Sequence, residues 1–366
     1  MKFHVFIAAA IMSVVQFVSA QTNLAFSSAE GFGRCASGGK GGEMFHVTTL
    51  ADSGAGSFRD AVSKPNRVII FDVAGIIRLK SNLAVSSDIS ILGDTAPSNG
   101  ITLYGRSTSF SGQKNVIVRY VRFREGIAGD KGKCSVNLAK GSNMIFDHCS
   151  IEWGRWDCLG LTTGSHDITF QNCIIGEGVD PQRFGSLSDT VTNITYTHNL
   201  WINNQSRNPK AKGKIQYINN VVYNWGVCGL VGGHSAGDHF QDVVGNYFIA
   251  GPNSSSHAVG ECKPTDHVYL KENFVDADKN GKLDGRELLP ADFGNGENAP
   301  TFVELPSNGS LENLKIESAE SALSNVLANA GCSLRRDAVD ARLIDAVKSF
   351  GTRGKIIHSE AEVGGL

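Results

Sequence analysis

Short apolar segments recur at a nearly constant interval through the middle of the chain. In each segment, a stretch of alternating apolar and polar residues is followed by one polar or small residue and a second apolar stretch. The seven segments are VIVRYVRF (116–123), MIFDHCSI (144–151), DITFQNCII (167–175), NITYTHNLW (193–201), IQYINNVVY (215–223), DVVGNYFI (242–249) and VYLKENFV (268–275). Their junction residues are Val121, Cys149, Cys173, Asn199, Asn220, Asn246 and Asn273, at spacings of 28, 24, 26, 21, 26 and 27.

A repeat of this size, built of short strands with little helix between them, predicts stacked coils. We therefore predict an all-β fold, a single-stranded right-handed parallel β-helix in which each strand pairs with its equivalent one coil further on. The four successive asparagines predict an inward ladder of stacked amides at a tight bend. Cys149 and Cys173 share that position, and we expect them to be small core residues in contact with each other.

The pattern is less regular before residue 115. Segments 67–79, 88–94 and 99–105 predict the first coils, and SGAGSFRDAVSK (53–64) predicts a short helix with Ser57 as its N-cap. We expect this helix to cap the open apolar end of the solenoid.

The periodicity becomes helical after residue 290. Residues 317–331 and 335–351 each show it, and each stretch ends at a glycine. We expect the C-terminal extension, 291–366, to pack on the side or end of a β-helix domain that spans 21–290.

Residues 276–287, DADKNGKLDGRE, match the EF-hand calcium-loop pattern at every specified position. The side chains of four residues and the carbonyl of a fifth would hold Ca²⁺, namely Asp276, Asp278, Asn280, Glu287 and Lys282. The preceding segment alternates like a strand, so we expect a stabilising clamp at the end of the solenoid rather than a calcium sensor. An Asp- and Gly-rich turn without metal is the alternative.

The N-terminus predicts a secretory signal peptide over residues 1–20. It combines Lys2, an apolar core at 5–18 and the small-residue cleavage site Val18-Ser19-Ala20. No later stretch approaches the ~18 apolar residues of a membrane span. The net charge of −2 gives no basic footprint for nucleic acid or membrane. We expect a secreted, extracellular monomer.

Secretion affects how the cysteines and sequons are interpreted. The eight cysteines are even in number, and an oxidising compartment favours disulfides, whose connectivity the sequence does not determine. The sequons at Asn193, Asn204, Asn253 and Asn308 are candidate glycosylation sites wherever they are exposed.

A cluster of positive charge stands out in this faintly acidic chain. SRNPKAKGK (206–214) contains Arg207, Lys210, Lys212 and Lys214. Pro209 interrupts any strand here, so a loop can present several cations together. Such a patch suits the carboxylates of an acidic polymer; a solvated basic loop is the alternative.

Three regions carry a resemblance to a known family. Residues 207–212, RNPKAK, resemble the R-x-P-x-x-R motif of pectate lyases, with lysine at the second arginine. MIFDHCSIEWG (144–154) resembles their WIDH segment, and the N-terminal stretches AFSSAEGFGR, SGAGSFRDAV and VIIFDVAGIIRL resemble their opening coils. Over roughly residues 24–366 the chain is similar to polysaccharide lyase family 1.

The resemblance implies calcium-assisted β-elimination on α-1,4-linked polygalacturonate in plant cell-wall pectin. It implies that Arg207 is the catalytic base, although a guanidinium normally stays protonated, and that Lys210 and Lys212 hold substrate carboxylates. Neutralising a carboxylate lowers the barrier by stabilising the developing negative charge. The expected partner is pectate or pectin, and the expected cofactor is Ca²⁺.

The resemblance also implies a calcium ion in the substrate groove, with Asp157 as a ligand. Glu152, Glu177 and Asp180 are nearby candidates. However, Lys133-Cys134-Ser135 stands where the family has an aspartate. A β-helix hydrolase, which would need paired carboxylates, and a non-catalytic pectin-binding protein remain the alternatives.

Overall fold

The computed structural model describes residues 23–366; the predicted signal peptide lies outside the described residues. The chain winds into a parallel β-helix of about nine turns, whose strands form three faces. Face 1 contains six strands of two to six residues and the first halves of two long strands, Phe184–Thr197 and Lys210–Ile218. The six short strands are Leu83–Ala84, Thr108–Ser109, Val136–Ala139, Asp157–Thr162, Leu230–Val231 and Val259–Gly260.

Face 2 follows face 1 in each coil that has a face 1 strand, and it shares the two long strands with face 1. Its other members are Glu43–Val47, Arg67–Phe71, Ile89–Leu92, Lys114–Arg119, Ser142–Asp147, His166–Gln171, His239–Val244, Asp266–Lys271 and Thr301–Phe302. Face 3 is a ten-stranded sheet made of Gly75–Arg78, Ile101–Tyr104, Val121–Arg124, Ser150–Glu152, Ile174–Gly176, Leu200–Ile202, Val221–Tyr223, Tyr247–Ile249, Phe274–Asp276 and Arg286–Glu287. All pairings are parallel except the last, between Phe274–Asp276 and Arg286–Glu287.

The predicted register is confirmed at all seven junction residues. Pairings such as Ser150 with Arg122 and Ile174 with Ser150 place each junction directly above the previous one. The asparagine ladder is confirmed as well. The Oδ1 atom of Asn246 accepts from the backbone N–H of Asn220 at 2.8 Å, and its Nδ2 donates to the carbonyl of Tyr217 at 2.8 Å. The Asn246 amide thus satisfies two backbone groups of the preceding coil, and its Nδ2 also donates to the Oδ1 of Asn273 on the next coil at 2.8 Å.

Stacking also organises the apolar interior. Phe146 and Phe170 are parallel with ring centroids 4.7 Å apart, and Tyr196 continues the stack at 5.6 Å. Equivalent residues of successive parallel strands lie one above another, so one ring type repeats along one column. This continuous column builds the core inside the three faces.

Helices cover the end and one side of the solenoid. Phe58–Val62 begins at the predicted N-cap, where Ser57 accepts from the N–H of Asp60, and it buries Phe58 against the first coils. Ala319–Asn329 and Ala338–Val347 pack on the outer surface of face 3. The short 3-10 helices are Phe32–Cys35, Gly93–Thr95, Pro290–Phe293, Gly296–Asn298, Ser333–Arg335 and Glu360–Val363. Among residues 23–366, no helix is both long and apolar enough to cross a bilayer.

The expectation of disulfides is wrong. All eight cysteines lie within the described residues, and all eight are free. Seven are buried, and Cys149 and Cys173 occupy the ladder column as core residues. Their Sγ atoms point towards the carbonyls of Val118 and Phe146 on the preceding coil, at 3.7 and 3.6 Å. The even number of cysteines reflects core positions that hold small apolar side chains and does not reflect disulfide bonds.

Candidate active site

The basic cluster lies where the chain enters face 1. Lys210 and Lys212 stand two residues apart in the strand Lys210–Ile218, and Ala211 between them is buried. Because side chains alternate along a strand, both lysines project outward from the same face. Lys214 falls beyond the bend on face 2, where its Nζ lies 5.5 Å from the ring centre of Phe240. The cluster therefore brings Arg207, Lys210 and Lys212 together and leaves Lys214 out.

Arg207 is held by an irregular backbone rather than by a strand. Its φ of +63° is left-handed, which a non-glycine residue rarely adopts. Its carbonyl accepts from the N–H of Ser186 at 2.7 Å on the preceding coil. A β-carbon on Gly185 would collide with that carbonyl, so glycine is required there. The loop that Pro209 creates is thus fixed to the coil below it.

The guanidinium of Arg207 sits between a carboxylate and an aromatic ring. Its Nη1 donates to both carboxylate oxygens of Asp157 at 3.3 Å, and its Cζ lies 4.1 Å from the ring centre of Phe184. Asp157 is only 1% exposed. Burial raises the pKa of Asp157 to about 6, and the charge of Arg207 opposes part of that rise. The arrangement orients the guanidinium outward on face 1.

Each lysine has an acidic neighbour from another coil. The Nζ of Lys212 lies 3.1 Å from a carboxylate oxygen of Asp189, and that of Lys210 lies 4.0 Å from Glu261. Burial lowers the pKa of Lys210, and Glu261 partly offsets this. These pairs are partly exposed, and a competing carboxylate can displace them.

The residues around Asp157 do not fit a groove calcium. Strand register places Cys134 below Asp157, and Phe184 and Ser206 above it. Only one of these four stacked positions is a carboxylate, and it already faces Arg207. Ca²⁺ requires six to eight oxygen ligands. The chemistry of this column therefore does not support Asp157 as part of a calcium site.

The other acids considered as groove ligands lie elsewhere. Glu152 is buried against Arg124, and Glu177 accepts two bonds of 2.6 Å from Arg342 in the C-terminal helix. Asp180 lies 3.1 Å from the Nδ1 of His358. Glu177 and Asp180 thus fasten the C-terminal extension to the solenoid, and Glu152 joins two strands of face 3. They are structural ion pairs rather than ligands on face 1.

The loop at 276–287 does gather carboxylates. Oxygens of Asp276, Asp278 and Asp284 lie within 4.8 Å of one another, and they form the one three-acid cluster in residues 23–366. Asp276 is 2% exposed, and its Oδ2 is buried without a hydrogen-bond partner. Burial and the two neighbouring acids raise the pKa of Asp276. A cation would relieve both the repulsion and the unpartnered oxygen, so the residues fit Ca²⁺.

Of the remaining predicted ligands of the loop, Asn280 is placed as expected and Glu287 is not. The side-chain oxygen of Asn280 accepts from the N–H of Lys282 at 2.7 Å, as expected for a tight loop. Glu287 lies in the strand Arg286–Glu287 and is not a member of the acidic cluster. Asp284, at the loop position that often binds Ca²⁺ through water, belongs to the acidic cluster instead.

Burial excludes two of the four predicted glycosylation sites. Asn204 and Asn308 are buried, and their Nδ2 atoms donate to the carbonyls of Ile175 and Ile215. Neither amide nitrogen is available for a glycan. Asn253 is exposed, while half-buried Asn193 donates to Asp167 at 2.8 Å.

Sequence reasoning missed the acids that complete the site. Asp189 and Glu261 lie 23 and 51 positions away from their lysines, so no local motif links them. Asp189 pairs with Lys212 directly in the strand register. A prediction of the face 1 strands in register would have placed Asp189 beside Lys212.

Comparison with solved structures defines the class of fold. The β-helix matches a thermostable pectate lyase, PL 47, with a TM-score of 0.63 at 15% identity, over 85% of this chain and 98% of that one. It also matches a pectate lyase bound to a hexasaccharide, with a TM-score of 0.59 at 13% identity, over 87% of this chain and 100% of that one. The fold is therefore the parallel β-helix of the pectate lyases.

Comparison with curated sequences defines the family. The probable pectate lyase C of Emericella nidulans is 44% identical over 345 residues, which is 94% of this chain and 80% of that protein. No family model matches the chain. The chain belongs to the probable pectate lyase C family, and its β-helix is that of polysaccharide lyase family 1. The predicted resemblance is confirmed.

Proposed function

We propose that this chain is a secreted, monomeric pectate lyase that cleaves α-1,4-linked polygalacturonate in plant cell-wall pectin by β-elimination. The observation that carries the proposal is the placement of Arg207, Lys210 and Lys212 side by side on face 1, in a chain of the pectate lyase family. Family membership supports a lyase, and this cluster supports the position of its chemistry.

The cluster supplies the groups that elimination requires. Lys210 and Lys212 exchange their acidic neighbours for the C6 carboxylate of a galacturonate residue, and their charge stabilises the enolate-like transition state. In its neutral form, the guanidine of Arg207 takes the C5 proton, the electron pair forms the C4=C5 double bond, and the C4–O bond breaks. The leaving oxygen takes a proton from water, and Arg207 returns its own to solvent. Asp157 and Phe184 position the guanidine for that transfer.

Calcium assists from a distance in this proposal. When Ca²⁺ is bound, Asp276, Asp278 and Asp284 would hold it, and its charge would neutralise the loop at the end of the solenoid. The strand Phe274–Asp276 pairs with Tyr247–Ile249, and the N–H of Gly281 donates to the carbonyl of Phe350 at 3.1 Å. The loop thus joins the last coils to the C-terminal extension.

A hydrolase is less well supported by the same site. Glycoside hydrolysis needs two carboxyl groups that flank the scissile bond. On face 1, each acid beside the cluster is already matched to a cation: Asp157 to Arg207, Asp189 to Lys212 and Glu261 to Lys210. No second carboxylate among these faces Asp157.

Product absorbance on polygalacturonate tests the proposal. Elimination generates a conjugated unsaturated uronate that absorbs ultraviolet light, and hydrolysis generates reducing ends without that absorbance. We expect absorbance and reducing ends to rise together. Reducing ends without absorbance would establish the hydrolase, and binding without either product would establish a pectin-binding protein.

A further inference from the structure

Trp156 lies one residue before the carboxylate that contacts the guanidinium of Arg207. Asp157 follows it in the chain and accepts from Arg207 at 3.3 Å. Phe184, whose ring centre lies 4.1 Å from the Cζ of Arg207, donates its backbone N–H to the carbonyl of Trp156 at 3.2 Å. Both side chains that contact the guanidinium are therefore linked to the backbone of Trp156, which borders the reacting centre.

The indole of Trp156 is exposed, in contrast to the three other indoles of the chain. Trp156 is 38% exposed, whereas Trp153, Trp201 and Trp225 are at most 1% exposed. The buried three belong to the packed interior of the molecule. The face of an indole is a broad apolar surface, and it suits the C–H bonds on one side of a pyranose ring. Trp156 can therefore carry a sugar beside the reacting centre.

An exposed lysine lies below Trp156 on the preceding coil. The pairing of Val136 with Leu159 continues back to Lys133 and Trp156. A β-carbon on Gly132 would stand 3.9 Å from the Cε3 of the indole, so the loop before the strand Val136–Ala139 packs against the ring. Lys133 is exposed, and among residues 23–366 it forms no ion pair. Its ammonium is therefore available to the carboxylate of a sugar that lies on the ring.

The turn that carries Trp156 is held in place by its neighbours. The Nη1 of Arg155 donates to the carbonyl of Gly129 at 2.8 Å, and its Nε donates to the carbonyl of Asp180 at 3.2 Å. The buried carboxylate of Glu125 accepts from the N–H of Arg155 at 3.4 Å. Because the backbone on which the indole stands is fixed before a ligand arrives, binding orders little of the protein.

We propose that Trp156 and Lys133 form a binding subsite for a galacturonate residue next to the one that reacts. The sugar ring stacks on the indole, and its free carboxylate pairs with the ammonium of Lys133. The inference rests on the proposed lyase function and adds a subsite to it. Because the sugar bound here does not react, the subsite stabilises the bound substrate and the transition state equally. Its loss should therefore raise KM and leave kcat unchanged.

Initial rates of unsaturated product from polygalacturonate test the subsite. Trp156→Ala should raise KM about tenfold at constant kcat, the factor that loss of ~50 Å² of apolar contact supplies. Trp156→Phe keeps an aromatic face and should stay within about threefold of wild type, and Lys133→Gln should raise KM about threefold. The matched control is Lys348→Gln, at an exposed lysine of the C-terminal extension, which should leave KM unchanged. An unchanged KM in Trp156→Ala would overturn the inference.

Indole fluorescence tests the same contact with Trp156 in place. Acrylamide quenches an exposed indole, and Trp156 is the one exposed indole of the four. In Arg207→Lys, which consumes the oligomer slowly, we expect saturating hexagalacturonate to protect the indole and lower the quenching. The double variant Arg207→Lys/Trp156→Phe should show no such protection. Quenching that hexagalacturonate leaves unchanged, with unsaturated product still formed by wild type, would overturn the inference alone. Absence of unsaturated product from wild type would overturn the proposed function.

Discussion

The acidic loop gives a prediction whose sign reverses with calcium. Asp276→Asn removes one of three carboxylates that lie within 4.8 Å, at the residue whose Oδ2 is buried without a partner. Without calcium, the substitution removes a buried charge that its neighbours repel, so it should stabilise the fold. With calcium, the same substitution removes a ligand, so it should destabilise the fold.

The size of the effect follows from mass action. For a Kd of ~10⁻⁴ M, typical of extracellular calcium sites, ~10 mM calcium stabilises the folded protein by about 2.7 kcal/mol. Unfolding entropy of ~2.1 cal/mol/K per residue converts this into a rise in Tm of roughly 3–4 °C for a chain of this length. Asp276→Asn should lose most of that rise, and in chelator its Tm should lie about 1 °C above that of wild type.

Differential scanning calorimetry with calcium and with chelator measures both the calcium-dependent rise in Tm and the difference in Tm between the two proteins in chelator. Asp72→Asn is the control, because that exposed side chain follows Arg67–Phe71 in the first coils, at the other end of the solenoid from the loop. Equal calcium responses in wild type and Asp276→Asn would refute the loop as a calcium site. Loss of activity in chelator, at a temperature where the protein remains folded, would refute a purely stabilising role.

Two further predictions concern buried charges. Arg124→Met should lower the free energy of unfolding by about 3–5 kcal/mol in urea titrations, because it leaves Glu152 buried without its cation and removes one of the two arginines beside Asp340; a loss below ~1 kcal/mol would contradict this. For Asp157, burial raises the folded pKa to about 6 from 3.8, so the folded state holds the proton more tightly than the unfolded state. Wild type should therefore lose on the order of 2 kcal/mol relative to Asp157→Asn as the pH rises from ~4 to ~6, and a difference independent of pH would show that the carboxyl is not shifted.

The column of ladder residues could be predicted from the sequence because the same residue type, asparagine, occupies that position in four successive coils. An asparagine such as Asn246 recurs there because its buried amide bonds to the backbone of the coil before it and to the ladder amide of the coil after it. Face 1 was harder to recognise, because a strand such as Leu230–Val231 has two residues and no measurable alternation. Glu43–Val47 was missed for a related reason: only Val47 in it is buried, so the strand shows no apolar pattern.

The site also contains one part that a local motif predicts and another part that depends on contacts between coils. Arg207, Lys210 and Lys212 are local in the chain, so a motif finds them. Their counter-charges come from other coils, and Glu261 lies 51 residues from Lys210. Such pairs depend on how many residues each loop adds to a coil, which pattern alone does not specify.

The most direct test of the account is the rate of unsaturated product formed from polygalacturonate by Arg207→Lys. Loss of a positioned base predicts a fall in kcat of about 10²–10⁴-fold, with binding of oligogalacturonate changed by less than about tenfold. Arg183→Lys, at a partly exposed arginine next to Phe184, is the control and should retain wild-type kcat. A kcat for Arg207→Lys within a few-fold of wild type would contradict the assignment of the chemistry to this residue.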